Sequence, residues 1–339
     1  TNPDKAIGGS QDNGTSLFNG DLQWNLVEGG DGGVAKFSPT QPTRVYHVAP
    51  VSSFGPTRFF RRSDDGGLTW TSKTNGLTNT ETFAFYPPFV VDPGNGDRLL
   101  LAGDRIFETT NGGDSWVAIS APGEAGWSLG GAVRAIALAR SDPNTIYAAV
   151  GASVFVTTNH GVSWSNQRVS PLGYPIYDLQ VDPQTPTTAY AALNGFELSG
   201  NVVRTTDGGA TWRFLPILGT STSLRPLFAL PVRSLQISPN GSLYAGAEDG
   251  VYVLDGSVVA TCNTGPSSPQ CAWRRVGTGM PNVQVAQIEL NPSLGILAAA
   301  TYGRGLWQIA FPKEPALSVS ITHGAGFEPG KLGPRIALR

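Results

Sequence analysis

The chain has 339 residues, 43 of them glycine and 26 proline, with only 14% Asp, Glu, Lys or Arg and a formal net charge of −2. So small a charge gives no electrostatic basis for gripping nucleic acid or an anionic membrane. No apolar run reaches bilayer-spanning length, and the glycine and proline content suits short strands joined by tight turns.

No signal peptide begins the sequence, so secretion implies a leader that was removed or lies outside it. One repeat domain is expected over residues 1–311, followed by a linker and tail over 312–339 that could open another domain or serve as an assembly arm. The first segment reads Ala6-Ile7-Gly8-Gly9-Ser10-Gln11-Asp12-Asn13-Gly14-Thr15. A degenerate turn at Leu17-Phe18-Asn19-Gly20-Asp21 then leads to Trp24, and Gly29-Gly30-Asp31-Gly32-Gly33 follows.

Apolar runs at 34–37, 89–91, 133–138, 177–181, 232–237 and 285–290 read as inner strands, here called a. Several end in an Asp-Pro turn, and b strands follow at 44–48, 98–102, 145–150, 188–193, 242–245 and 296–301. A motif Ser/Thr-x-Asp/Asn-x-Gly-x-x-Trp then separates c from d. It occurs as Ser63-Asp65-Gly67-Trp70, Thr109-Asn111-Gly113-Trp116, Thr157-Asn159-Gly161-Trp164 and Thr205-Asp207-Gly209-Trp212. The tryptophans stand 46, 48 and 48 residues apart, the size of one four-stranded propeller blade. The hydroxyl and Asp/Asn side chain close a turn on nearby backbone, and the tryptophan opens strand d and fills the space between blades. Trp24 and Trp273 extend the series.

Cys262 and Cys271 flank a Gly/Pro/Ser loop. A disulfide, implying an oxidising compartment, and two free thiols are the alternatives. His47, His160 and His323 are too scattered for a zinc site. The N-terminal segment offers strands b, c and d without a, and the C-terminal segment offers a, b and c without d. This count predicts seven blades with two incomplete, a six-bladed closure being the alternative. The missing strands could come from a longer precursor or a second chain, unless blade edges simply vary.

The four motifs resemble the Asp-box (BNR) repeat, shared by sialidases, two-propeller xyloglucanases, sortilin-type receptors and many secreted bacterial proteins. The first segment and Thr301-Tyr302-Gly303-Arg304-Gly305-Leu306-Trp307 resemble the last group, so the likeness spans residues 6–310. It implies an all-β propeller, secreted or at the cell surface, acting as a non-catalytic binding or assembly module. Its partners would be proteins, glycans or other chains of an assembly. The alternative it implies is a glycoside hydrolase with paired carboxylates at the channel mouth. The three arginines and Tyr/Glu pair of sialidases find no match here, Arg58-Phe59-Phe60-Arg61-Arg62 being a poor one. A membrane-complex assembly factor, as some photosynthetic Asp-box propellers are, would call for an arginine patch, whereas the arginines here are dispersed.

Because the motif side chains are used in closing turns, ligand residues are expected from b–c and d–a loops on the opposite face. These supply Gln11, Asp12 and Asn13, then Asp104 and Arg105, Glu248 and Asp249, and Tyr302 with Arg304. The d–a loops add Asp31, residues 121–131 with Glu124 and Trp127, and residues 219–230 with Arg225 and Phe228. Asp31, Asp12, Asp104, Glu248 and Asp249 are the candidate acids of a hydrolase. Trp127, Phe228, Arg225, Tyr302 and Arg304 are the candidate contacts of a binding surface. No cofactor motif is present. Convergent carboxylates would suit Ca²⁺, but no contiguous Ca²⁺ loop occurs.

Overall fold

A computed structural model describes residues 5–20, 23–77, 82–127, 131–196, 200–215, 230–262, 273–310, 318–319 and 336–337. The chain is an all-β, seven-bladed propeller. Blade 1 has three strands, β1 (Ala6–Ser10), β2 (Gly14–Phe18) and β3 (Trp24–Glu28). Blade 2 comprises β4 (Val34–Phe37), β5 (Val45–Val48), the short helix α1 (Val51–Phe54), β6 (Phe60–Ser63) and β7 (Thr71–Ser72). Blade 3 comprises β8 (Phe89–Asp92), β9 (Asn95–Ala102), β10 (Ile106–Thr109) and β11 (Val117–Ala118). Blade 4 comprises β12 (Ala135–Leu138), β13 (Ile146–Val150), β14 (Ser153–Thr157) and β15 (Ser165–Arg168). Blade 5 comprises β16 (Ile176–Val181), β17 (Ala189–Leu193), β18 (Val202–Thr205) and β19 (Arg213–Phe214). Blade 6 comprises β20 (Val232–Ile237), β21 (Leu243–Ala247), β22 (Gly250–Leu254), the helix α2 (Gly256–Thr261) and β23 (Arg274–Arg275). Blade 7 has β24 (Val285–Asn291), β25 (Ile296–Thr301) and β26 (Leu306–Ala310). Beyond it, β27 (Ser318–Val319) pairs with β28 (Ile336–Ala337). The strands within each blade are antiparallel neighbours in chain order. The two three-stranded blades are the terminal ones, as the sequence count predicts. The two short helices have no counterpart in the strand pattern, and α2 sits in the long c–d connection ahead of Trp273.

The core lies between blades, where each apolar cluster is shared by two neighbours. Tyr46, Val48 and Phe60 of blade 2 meet Phe89, Leu101 and Phe107 of blade 3. Further clusters join blades 3 and 4, 4 and 5, 5 and 6, and 6 and 7. The b strands Ile146–Val150 and Ala189–Leu193 are buried and rich in alanine, so blades approach closely at their inner ends. A bulge in the a strands of blades 5, 6 and 7 adds a polar tie. There the Leu235 N–H donates to Asp178 Oδ2 of blade 5 at 2.7 Å, and the Ile288 N–H donates to Ser234 Oγ of blade 6 at 3.1 Å. Burial pushes the Asp178 carboxyl up to about 6.

The repeated motif closes its turn as its chemistry requires. Thr109 Oγ1 donates to Asn111 Oδ1 at 2.8 Å and accepts the Gly113 N–H at 3.0 Å, and Asn111 Oδ1 accepts the Ser115 N–H at 3.0 Å. The other three copies repeat this arrangement. The Thr69 hydroxyl and backbone hold the Asp65 carboxyl far below the usual carboxylate range. Trp116 and Trp164 are buried, whereas Trp24 in the incomplete first blade is 40% exposed.

The motif glycine has a second duty beyond the turn. Gly161 has φ +82, and a Cβ there would sit on the carbonyl oxygen of Ile119 in the preceding blade. Gly161→Ala is therefore expected to cost about 1–3 kcal/mol in unfolding free energy. Gly123, with φ +83 and open space around it, isolates the backbone component. Gly123→Ala should cost less in the same urea titration, and equal costs would remove the inter-blade contact as a cause.

Candidate functional site

Four loops of blades 1, 2 and 3 converge on the face that carries b–c and d–a connections. The first is the tight turn between β1 and β2, where Asp12 takes φ +62 and the Asn13 N–H donates to the Ser10 carbonyl at 3.1 Å. The second is the Gly-flanked Asp31 loop between β3 and β4. The third is the β5–β6 connection with α1, and the fourth is the aromatic run Phe83-Ala84-Phe85-Tyr86 ahead of β8.

The glycines around Asp31 are there because backbone meets backbone. A Cβ on Gly32 would strike Ser10 and Gly14 of the β1–β2 hairpin, and one on Gly33 would strike Val48 of β5. Only bare backbone lets this loop wedge between blades 1 and 2. The wedge delivers Asp31 onto Asp12. Hydrogen bonding with the Asp31 side chain, then desolvation, then the Asp31 charge raise the Asp12 pKa. The Tyr86 hydroxyl donates to the Asp31 carbonyl at 3.3 Å. Burial, then the charges of Asp31 and Asp12, push the Tyr86 phenol up.

The β5–β6 connection and the aromatic run together line a cavity of about 430 Å³, with Val51, Ser52, Phe83, Ala84 and Phe85 in its wall. Phe85 is 51% exposed and stands edge-on to Tyr86 with ring centres 4.8 Å apart. Phe54, from the helix that supplies Val51 and Ser52, lies against Gly30 of the Asp31 loop. Sequence reasoning missed Phe83, Phe85 and Tyr86. The signal was available, because four consecutive apolar or aromatic residues stand there in a d–a loop.

A buried charged network lies beneath the Asp31 loop. Glu28 at the end of β3 pairs with Arg61 of β6, and Arg61 Nη2 donates to His47 Nδ1 at 2.9 Å. His47 Nε2 lies 2.9 Å from Thr15 Oγ1, which it reaches as a donor when Nδ1 accepts. His47 and Thr15 are fully buried, and Trp70 packs on the imidazole at 5.3 Å. Burial lowers Arg61 to about 10, so it stays charged at neutral pH, and lowers His47 to about 4. The unfolded chain binds the His47 proton near the ordinary 6.5, the folded chain only near 4. Stability is thus intact above 6.5 and falls as pH drops through this window, by about 3 kcal/mol in full. Urea unfolding of wild type and His47→Gln should therefore diverge, wild type losing more between pH 6.5 and 4. Parallel profiles would exclude the linkage.

The remaining predicted residues are dispersed. Asp104 pairs with Arg105 at 3.4 Å. Glu248 pairs with Arg233 at 3.2 Å and accepts from Gln284 at 2.7 and 2.8 Å. Asp249 accepts from the Tyr252 hydroxyl at 3.0 Å. Tyr302 is 76% exposed and Arg304 is exposed at the β25–β26 turn. Trp127 is a correction, since it is fully buried and presents no face to a ligand. Its indole N–H donates to the Asp104 carbonyl at 2.9 Å, and its ring packs on Phe155 and Trp164. A tight turn around Glu124 rolls the residue inward, which composition of the loop could not reveal. Arg225, Phe228 and Cys271 lie outside the described residues, while Cys262 is buried at the end of α2. Among the described residues no three His, Cys, Asp or Glu side chains converge as metal ligands, and no helix is long and apolar enough to cross a membrane.

No family model matches the chain. A xyloglucanase of Hypocrea jecorina is 29% identical over 201 residues, covering 54% of this chain and 22% of its own length. The GH74 xyloglucanase from Xanthomonas campestris superposes with TM-score 0.59 at 15% identity, covering 91% of this chain and 45% of that one. A structure of YCF48 bound to D1 peptide gives TM-score 0.59 at 14% identity, covering 92% and 89%. An ancestral GH74 enzyme gives TM-score 0.57 at 20% identity, covering 90% and 37%. The chain thus spans about a fifth of the curated xyloglucanase and less than half of these GH74 enzymes, and the structural likenesses establish the propeller fold.

Proposed function

We propose that the chain is a non-catalytic binding and assembly module of the Asp-box group, from a secreted or cell-surface protein, with protein or glycan partners. The observation that supports it is the state of the terminal blades. Among the described residues, β1 pairs only with β2 and β26 only with β25. Every residue of β26 is exposed, Leu306, Trp307 and Ile309 at 47, 37 and 38%. An unpaired strand edge carrying apolar side chains is a template for another strand, and proteins normally cover it. The hydrolase alternative needs two carboxylates about 5–10 Å apart across a groove. Asp12 and Asp31 lie close enough for Asp31 to raise the Asp12 pKa, and the fate of any xyloglucan turnover in Asp31→Asn tests that alternative.

Light scattering with intact-mass spectrometry tests the reading. A particle well above 35.6 kDa is expected, and a clean monomer at every concentration would overturn the assembly role. The same spectra, with and without reductant, decide the Cys262–Cys271 disulfide. Turnover of xyloglucan that disappears in Asp31→Asn would replace the binding reading with the hydrolase.

A further inference from the structure

Arginines from two blades meet over one tyrosine where the inner strands of blades 4, 5 and 6 begin. A fully buried aliphatic residue, Val133, Ile176 or Val232, begins or leads into each of these strands. The residue that follows it is Arg134, Tyr177 or Arg233. In blades 5 and 6 that residue is the bulge itself, stepping out of register with the next strand, and a bulge re-aims the side chain it carries. The Arg134 guanidinium carbon lies 5.7 Å from the centre of the Tyr177 ring, and that of Arg233 lies 5.3 Å from it. Stacking of this kind holds a guanidinium in place and leaves its N–H edge free to donate.

The charges around the stack do not balance. Glu248 accepts from Arg233 Nε at 3.2 Å, and both its oxygens also accept from Gln284. Arg134 is exposed and, among the described residues, pairs with no carboxylate. Asp178, the next residue along β16, is engaged elsewhere, its oxygens accepting the Leu179 N–H at 2.8 Å and the Leu235 N–H at 2.7 Å.

We infer that this stack binds the carboxylate of a glutamate or aspartate side chain on a partner protein. The inference rests on the binding-module reading and gives it a partner chemistry. A carboxylate accepts two parallel N–H bonds from a guanidinium edge, and a guanidinium already stacked has less side-chain freedom left to lose. The second guanidinium over the same ring adds attraction for the anion. A neutral sugar would need a ring face, and the guanidiniums already lie over that of Tyr177.

The test uses the whole chain and a fluorescent pentapeptide, Gly-Glu-Ser-Glu-Gly-amide labelled at its N-terminus, beside its glutamine and lysine counterparts. Anisotropy at low salt should show the glutamate peptide binding about tenfold tighter than the glutamine peptide, and the lysine peptide not at all. Arg134→Gln should weaken the glutamate peptide about tenfold, and Arg134→Lys, which keeps the charge and loses the fork, several-fold. Arg140→Gln removes the same charge just beyond the other end of β12 and should leave the affinity unchanged. Equal affinity for the glutamate and glutamine peptides, or full affinity in Arg134→Gln, would overturn the assignment. So would equal losses in Arg134→Gln and Arg140→Gln, which would mean attraction by net charge alone. An oligogalacturonate that binds through Arg134 where the glutamate peptide does not would overturn it in favour of an acidic glycan. Light scattering of the same samples separates the two claims. A multimer that ignores acidic peptides keeps the assembly reading and loses this one, and a monomer that binds them does the reverse.

Discussion

Replacing Trp127 with alanine is expected to lower the unfolding free energy by about 3–5 kcal/mol, among the largest effects of any single truncation in this chain. The side chain is fully buried between blades 3 and 4, with ring centres 4.7 Å from Phe155 and 4.9 Å from Trp164. Truncation leaves a cavity among rings that cannot collapse without dragging two blades, and it orphans the Asp104 carbonyl. Trp127→Phe should recover most of the loss, keeping the ring contact and forfeiting about 1 kcal/mol for the missing N–H donor. Urea unfolding followed by intrinsic fluorescence measures both. The comparison also separates a packing role from a ligand platform. A platform tryptophan would give an alanine variant of native stability and impaired binding, and that result would reverse the present placement of the residue.

The fold was readable because its repeat has an internal clock. One turn motif recurs every 46 to 48 residues, and each copy fixes a c–d boundary around which the other strands fall. Val34–Phe37, Val232–Ile237 and Ile296–Thr301 begin and end where the apolar runs do. The incomplete terminal blades were legible for the same reason, as a count of strands around the motif. The site was only partly legible. Asp12 and Asp31 each stood out as loop carboxylates, but their contact depends on backbone wedging through Gly32 and Gly33, which no spacing rule encodes. Trp127 illustrates the opposite failure. An aromatic in a long Gly-rich loop looks exposed, yet turn geometry rolled it into the core. Phe85 and Tyr86 were passed over because an aromatic run beside a strand reads as part of that strand.

The seam between blades 1 and 2 differs in kind from the others. Five neighbouring blade pairs share an apolar cluster, but here the described residues place Glu28, Arg61, His47 and Thr15. Glu28→Ala is therefore expected to cost about 3–5 kcal/mol, because Arg61 would remain buried and charged without its partner. The double variant Glu28→Leu with Arg61→Met should cost less than the single one. It leaves only His47 Nδ1 without a donor, about 1–3 kcal/mol. Urea titration gives the totals, and amide exchange locates the loss. Protection should fall first in β1–β3, which have lost their tie to blade 2, and in the Asp31 loop that continues from Glu28. A single variant no less stable than the double one would mean that the charges are already hydrated in the folded chain. In that case the ordering of the Asp31 loop would have to come from the glycine wedge alone.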